Sequence, residues 1–241
     1  MSSGSRTRAT NNNYSNAMSF GSFFSGWLQR QERFLDELLS AQDCDESSWR
    51  ENDLKDLVAR VLAHYQQYYE EKSRQAHRNI FLLFSPPWFT SFERAYFWIA
   101  GFKPALAFRL VSDSVHDLTE NQSQKIDRLR GEIRLEEKML NDELAKIQES
   151  VAAPPIMELA RRQAQGRDDV IAAGDAALDG LRSETEKLVA NADLLRTSTV
   201  AKMVEILSPT QNVRFLTAAT RLQLKIHSCG LQRERNRQET E

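Results

Sequence analysis

The sequence predicts an all-α protein: a single bundle of long helices with a short aromatic helix at its centre. Three observations predict this class. Glycine and proline are scarce, with 9 and 6 residues in a chain of 241, whereas the helix-favouring residues Leu, Ala, Glu, Gln and Arg are abundant. Apolar residues recur at gaps of three and four, which is the helical period. Runs of β-branched residues, which are typical of strands, are missing.

The charge balance narrows the range of functions. The 32 basic and 34 acidic residues leave a formal net charge of -2. A general nucleic-acid-binding surface needs a net basic face, so direct DNA binding is not expected, although a local basic patch is compatible with this balance. No apolar run approaches the roughly 20 residues of a membrane span, and no membrane association is expected. Cys44 and Cys229 lie far apart without a partner motif and predict reduced thiols.

The first two helices are predicted from their apolar faces. The first helix presents Phe20, Phe23, Phe24, Trp27, Leu28, Phe34, Leu35, Leu38 and Leu39 on one strongly aromatic face. The acidic stretch 43–48 predicts a loop. The second helix presents Leu54, Leu57, Val58, Val61, Leu62, Tyr65 and Tyr69. It is predicted to continue toward Phe84. Pro86 and Pro87 are expected to end it there, because a residue before proline disfavours helical geometry.

An aromatic segment follows, between Ser85 and Pro104. Its seven aromatic side chains make a surface position improbable on physical grounds, so a central helix of about ten residues is expected here. Thr90 and Glu93 form a capping-box pattern at its start. Gly101 is expected to supply the flexible residue just past its end, and Pro104 suits the first turn of the next helix.

A very long helix is then predicted from Pro104 to Pro154. Its apolar residues at intervals of seven are Ile126, Ile133, Leu140 and Ile147. Glu136 and Glu143, however, occupy positions that a dimerising zipper fills with apolar residues. A helix packed within a bundle is therefore favoured over a coiled-coil dimer.

The last third of the chain predicts two more helices. The first, from Ile156 to Leu195, contains three glycines that each cost up to about 1 kcal/mol in a helix, so a break or a loosened segment is expected near residues 166–179. The second starts at a clear signal, Ser208-Pro209-Thr210-Gln211, which is a capping box with proline in the first turn. It is expected to end at Gly230.

The sequence offers no recognisable catalytic constellation. The four histidines, His64, His77, His116 and His227, are all more than four residues apart, and no His-Glu-x-x-His, Cys-x-x-Cys or Walker loop is present. Paired carboxylates such as Glu136-Glu137 are typical of solvated helix faces. The protein is therefore not expected to be an enzyme.

Two histidines have a second interpretation each. His64 lies among tyrosines, which is typical of buried hydrogen bonds between helices but would also suit the polar corner of a ligand pocket. His227 could act as an axial ligand to haem iron, or it could face the dipole at a helix C-terminus.

Phe23, Trp27 and Gln31 lie on one stripe of the first helix. The stripe is either buried in the core or a partner-binding site. If it is a binding site, Trp27→Ala should weaken partner binding and leave the helical fold largely intact.

Four motifs together resemble one plant family. In order they are Phe23-Phe24-x-x-Trp27-Leu28-x-x-Gln31, His64-Tyr65-x-x-Tyr68-Tyr69-x-x-Lys72, Ser85-Pro86-Pro87-Trp88 with Glu93-Arg94-Ala95, and Ser208-Pro209-Thr210-Gln211-x-x-Arg214-Phe215-Leu216. They resemble the Delay-of-Germination domain, which is shared by seed-dormancy regulators and the C-terminal part of TGA-type bZIP transcription factors. The resemblance covers about residues 19–230. It leaves 1–18 as a Ser/Asn/Thr-rich leader, expected to be disordered, and 231–241 as a charged tail.

The resemblance implies a non-enzymatic regulator of seed maturation, dormancy and abscisic-acid signalling or transcription, located in the nucleus and/or cytoplasm. It implies clade-A type 2C protein phosphatases, or bZIP factors and ankyrin-repeat co-regulators, as partners. The phosphatase contact of the family is associated with the first helix, which maps partner binding onto Phe23, Trp27 and Gln31. Only about 18 residues precede the domain, too few for a basic region and zipper, so any effect on transcription is expected to pass through partners.

The resemblance also raises a ligand-binding alternative. Family members bind haem through histidines near the C-terminal region, where this chain has only His227. No cofactor is therefore expected, with haem on His227 or a lipid-like ligand among the helices as the alternative.

Overall fold

The computed structural model describes the backbone of residues 4–43, 50–152 and 168–239, and the side chains of 18–42, 50–151 and 176–239. It confirms the all-α class. The helices are α1 (Gly4–Asp43), α2 (Glu51–Asn79), α3 (Ser91–Arg94), α4 (Leu106–Ser114), α5 (Glu120–Ala152), α6 (Asp168–Ile206) and α7 (Pro209–Gln238), with a 3-10 turn at Ile80–Leu83. No described helix is both long and apolar enough to cross a membrane.

Two hydrophobic clusters hold these helices together. The larger is the main core, built by α2, α4, α5, α6 and α7 with the end of α1. The smaller, here called the aromatic cluster, joins α1 to α2, α7 and the segment before α3; it consists of Phe20, Phe24, Trp27 and Leu28 with Phe23, Tyr65, Tyr68, Trp88, Phe89 and Leu224 around them. The first helix is thus attached chiefly by aromatic side chains.

The start of α1 differs from the sequence prediction. The helix begins at Gly4, whereas residues 1–18 were expected to form a disordered leader before a helix starting at Phe20. The predicted loop over 43–48 falls almost entirely outside the described residues.

The aromatic segment between Ser85 and Pro104 is not a ten-residue helix, and it is not buried at the centre: none of its seven aromatic side chains is fully buried, and Tyr96 is 48% exposed. The capping box of Thr90 and Glu93 is present, but it starts a single turn, α3. Ile99 and Ala100 then adopt positive φ angles of 44° and 57°, and it is these residues, not Gly101, that reverse the chain. After α3 has ended, Arg196 of α6 donates hydrogen bonds to the carbonyl oxygens of Ile99 and Phe102 and holds this stretch against α6.

The long helix predicted from Pro104 to Pro154 is two helices. Val115 has an extended backbone and is buried, so the chain leaves α4 to place this side chain in the main core. Thr119 then starts α5: its hydroxyl accepts a hydrogen bond from the Gln122 amide while the Gln122 side chain accepts one from the Thr119 amide. This Thr-x-x-Gln pattern is a capping box that the sequence interpretation overlooked.

Glycine was misread twice as a helix breaker. The break expected near residues 166–179 is absent from 168 onward, because α6 runs without interruption through Gly174 and Gly180; Gly166 lies outside the described residues. The last helix does not end at Gly230 but continues to Gln238, so most of the charged tail is helical.

Candidate functional site

Trp27 lies at the centre of the contact between α1 and α2. Its side chain is fully buried, and its ring stacks on that of His64 with centroids 4.6 Å apart and planes at 8°. The indole N–H donates a hydrogen bond to the His64 backbone oxygen at 2.9 Å. Because this carbonyl belongs to a helix on the other side of the contact, Trp27 fixes the distance between α1 and α2. The Trp27 side chain is therefore a core residue and has no surface to offer a partner.

Gln31 lies one turn further along α1 and is also fully buried. Its amide nitrogen donates to the Tyr65 hydroxyl and lies 3.3 Å from both Thr220 Oγ1 and Gln223 Oε1 of α7. These contacts of the amide nitrogen tie three helices together, whereas Gln31 Oε1 is buried and has no hydrogen-bond partner within the described structure. Gln31, like Trp27, supports α1 from inside.

Phe23 has a different position from these two residues. It is only half-buried, with its ring 5.6 Å from that of Phe20, and so lies at the edge of the aromatic cluster. Met18, one and a half turns earlier, is 66% exposed. Of the predicted stripe, Phe23 alone presents surface. The partner-binding role of α1 stays a prediction, and the full burial of Trp27 argues against the expectation that Trp27→Ala leaves the fold intact.

His227 lies on the far side of the aromatic cluster, where α7 meets α3. Its Nδ1 is 2.8 Å from Oε1 of Glu93, a side chain that is itself only 4% exposed. The other carboxylate oxygen of Glu93 accepts hydrogen bonds from the amide and hydroxyl of Thr90. The Glu93 side chain thus caps the start of α3 and also links it to His227 of α7. His227 does not face the C-terminal dipole of α7, because the helix continues for eleven more residues to Gln238.

The His227 ring can be tested as a haem ligand. A metal-binding histidine is commonly oriented by a carboxylate on its second nitrogen, and Glu93 is placed to do this. The ring edge also contacts Phe24, with centroids 6.1 Å apart. Among the described residues, no group of three or more His, Cys, Asp or Glu side chains could hold a metal ion. The haem-ligand role of His227 stays a prediction.

His64 is buried between helices. Its side chain is 3% exposed, and burial lowers its pKa to about 4, with a further contribution from nearby Arg30. The imidazole is therefore neutral at physiological pH. Its Nε2 has no hydrogen-bond partner within the described structure, and the ring faces are taken by Trp27 and Phe34.

A buried ionic network lies beside the aromatic cluster. Lys72 Nζ is 2.7 Å from Asp193 Oδ1, and the same oxygen is 2.5 Å from Arg196 Nη1. Arg196 also donates to the carbonyl oxygens of Trp98, Ile99 and Phe102. Burial lowers the pKa of Lys72 to about 8 despite the neighbouring carboxylate. One arginine thus neutralises Asp193 and also holds the aromatic segment.

Sequence reasoning did not find this network. Lys72 entered only as the last position of a tyrosine-rich motif, and Asp193 and Arg196 were not singled out. Asp193 and Arg196 are three residues apart on one helix, a spacing that is common on solvated faces. Nothing in the local pattern distinguishes this pair from an exposed one.

Comparisons with known proteins give consistent results. A family model described as seed dormancy control matches residues 34–113. The chain is 37% identical over 223 residues to Protein RESPONSE TO ABA AND SALT 1 of Arabidopsis thaliana, covering 89% of this chain and 96% of that protein. It is 36% identical over 225 residues to Protein ZW2 of the same plant, covering 90% and 98%. Transcription factor TGA5 of Arabidopsis thaliana is 28% identical over 212 residues, covering 88% of this chain and 63% of the factor.

Proposed function

Since this chain belongs to the seed dormancy control, or Delay-of-Germination, family, we propose that it is a plant regulatory protein of dormancy or the abscisic-acid response that acts by binding other proteins. The observation that carries this proposal is the match over nearly the full length of a relative named for its response to abscisic acid and salt. The similarity to TGA factors supports a setting in transcription regulation and a location in the nucleus and/or cytoplasm.

The proposed partners are clade-A type 2C protein phosphatases, with bZIP factors or ankyrin-repeat co-regulators as the second class. The proposed contact is the outer edge of the aromatic cluster at Phe23 and Met18. These apolar side chains are accessible on a helix that the buried Trp27 and Gln31 hold against the bundle. A rigidly held helix with exposed apolar residues loses little conformational entropy on binding, which favours its use as a recognition element.

The test is a binding titration of the full chain with a clade-A type 2C phosphatase on a biosensor. Phe23→Ala should raise the dissociation constant about tenfold or more, as expected when an aromatic residue is removed from an interface. Phe81→Ala is the matched control, because Phe81 is a 49% exposed phenylalanine on the 3-10 turn and not on α1. It should bind as the unchanged protein does.

Two outcomes would contradict this assignment. Equal binding by both variants would remove Phe23 from the contact. Failure of the unchanged protein to bind phosphatase, with binding to a TGA-type bZIP factor or an ankyrin-repeat co-regulator, would move the function to a transcriptional partner. Trp27→Ala is unsuitable as a binding probe, since removal of a fully buried tryptophan is expected to cost about 3–5 kcal/mol of stability.

Haem binding is a second proposed function, favoured by one contact. The Glu93 carboxylate on Nδ1 of His227 would orient the ring and leave Nε2 to bind iron. Addition of haem to the unchanged protein should then produce a shifted Soret band that is lost in His227→Ala and kept in His77→Ala, an exposed histidine on α2. The same spectrum with all three proteins would exclude His227 as the ligand.

A further inference from the structure

The outer face of α7 has a charge pattern that differs from that of the whole chain. Although the protein has a formal net charge of -2, α7 contains no Asp or Glu from its first residue, Pro209, to Arg233. Its cations Arg221, Lys225 and Arg235 are spaced by four and ten residues. At 100° per residue, the three positions lie within a sector of about 80°, and so form one stripe along the helix.

These three cations are available for an external ligand. All three residues are exposed, and none has an ion-pair partner in the part of the chain that the structure describes. Arg214, at the start of the same face, differs because Asp117 neutralises it at 2.9 Å. The stripe therefore begins after this pair and extends about 21 Å, since Arg221 and Arg235 are fourteen residues apart at a rise of about 1.5 Å each.

The residues that attach α7 to the protein lie elsewhere on the helix. Thr220 and Gln223 contact Gln31 of α1, and His227 contacts Glu93. Gly230 packs against Thr90. The cations of the basic stripe take no part in these contacts, so they are not needed to hold the helix in place.

We propose that this basic stripe of α7 is a docking surface for an acidic segment of a partner protein. Carboxylates spaced along a helix or extended segment can pair with cations distributed over 21 Å, and such charge complementarity steers association and specifies the partner. DNA is disfavoured as the occupant, because DNA affinity rests on the number of phosphates that cations neutralise, whereas this stripe has three cations on a chain of net negative charge.

The proposal is independent of the α1 contact proposed above, and its test uses a different probe. Binding of the full chain to fluorescent poly-L-glutamate of about 20 residues is measured by anisotropy at low and physiological salt. The test variant is R221E/K225E. The control variant R128E/K138E changes one exposed Arg and one exposed Lys on α5, neither with an ion-pair partner among the described residues, and alters the net charge equally.

The unchanged protein should bind poly-L-glutamate with an affinity that falls as salt rises. R221E/K225E should weaken that affinity about tenfold or more, while R128E/K138E should change it less than about twofold. Equal losses in the two variants would mean that only net charge matters and would overturn the proposal. Tighter binding of the unchanged protein to a 20-base-pair DNA duplex, lost in R221E/K225E alone, would overturn it in favour of nucleic acid. Phosphatase binding by R221E/K225E is measured separately, so that a failure of the α1 contact can be told apart from a failure of the basic stripe.

Discussion

At the scale of single residues, the aromatic cluster depends on His64 remaining neutral. The imidazole stacks on Trp27, is almost completely buried and has an unpartnered Nε2. A proton on this ring would place a charge in an apolar contact without a counter-ion, which is costly. The histidine therefore couples the packing of α1 on α2 to pH.

We predict that His64 makes the free energy of unfolding decrease as the pH is lowered. Its pKa is about 4 in the folded protein against an ordinary value of 6.5, so between these pH values the unfolded chain takes up a proton that the native protein does not. The contribution is fully present above pH 6.5 and is lost as pH falls toward 4. His64→Gln should reduce the drop in urea midpoint between pH 7.5 and pH 5.

His77→Gln is the control for this pH effect, because His77 is an exposed histidine of the same helix. It should leave the pH dependence of the urea midpoint unchanged. An identical pH dependence in the unchanged protein and in His64→Gln would show that His64 does not cause the loss.

The stripe of α1 formed by Phe23, Trp27 and Gln31 shows what sequence can and cannot predict about single residues. Helical periodicity placed Phe23, Trp27 and Gln31 on one face correctly, since that requires only their spacing. It could not separate core from surface, because the groups that cover Trp27 and Gln31 come from His64 and Thr220, distant in the chain. The depth of a side chain is a property of its neighbours, which a local pattern does not contain.

At the scale of elements, the two helix starts marked by recognised capping boxes were more predictable than the helix ends. Thr90 and Ser208 both cap helices as their sequences indicate, because a cap requires only residues within one turn. Two of the misread positions involve distant contacts. Arg196 of α6 holds the chain after α3 through its carbonyl oxygens, and Gly230 serves the packing of α7 on Thr90 instead of ending the helix.

We predict opposite effects for two glycine-to-alanine substitutions. A Cβ on Gly230 would lie 2.1 Å from Thr90 Oγ1, so Gly230→Ala must displace the cap of α3 and should cost about 1–3 kcal/mol. Gly131→Ala is the control, since a Cβ there meets nothing within 4 Å; it should stabilise α5 by about 0.5–1 kcal/mol. Urea unfolding of both variants measures the difference. Stabilisation by both substitutions would show that α7 and α3 separate easily.

At the scale of the whole molecule, Arg196 connects three parts of the chain. It is an α6 residue that binds Asp193 on its own helix, reaches Lys72 of α2 through that carboxylate, and donates to the backbone of the aromatic segment. The positive φ angles of Ile99 and Ala100, which L-residues seldom adopt, persist in a segment held by this guanidinium.

We predict that Arg196→Ala is strongly destabilising. It leaves three carbonyl oxygens without this donor and Asp193 with a single buried counter-ion, so a loss of about 3–5 kcal/mol is expected. Arg182→Ala removes a partly exposed ion pair with Glu186 and an exposed hydrogen bond to the His77 carbonyl oxygen, and should cost at most about 2 kcal/mol. Urea unfolding followed by circular dichroism compares them. Similar losses would mean that the network contributes little.

The hydrogen bonds of Gln31 to α7 have a consequence for synthesis of the protein on the ribosome. Gln31 and Gln223 are separated by 192 residues, so the helix that covers one side of the aromatic cluster is made long after α1. At about 5–20 residues per second, α1 waits roughly 10–40 s for α7 after it has emerged. During that interval Phe24 and Leu28 lack their final neighbour, and the nascent chain has an apolar helix that chaperones can bind.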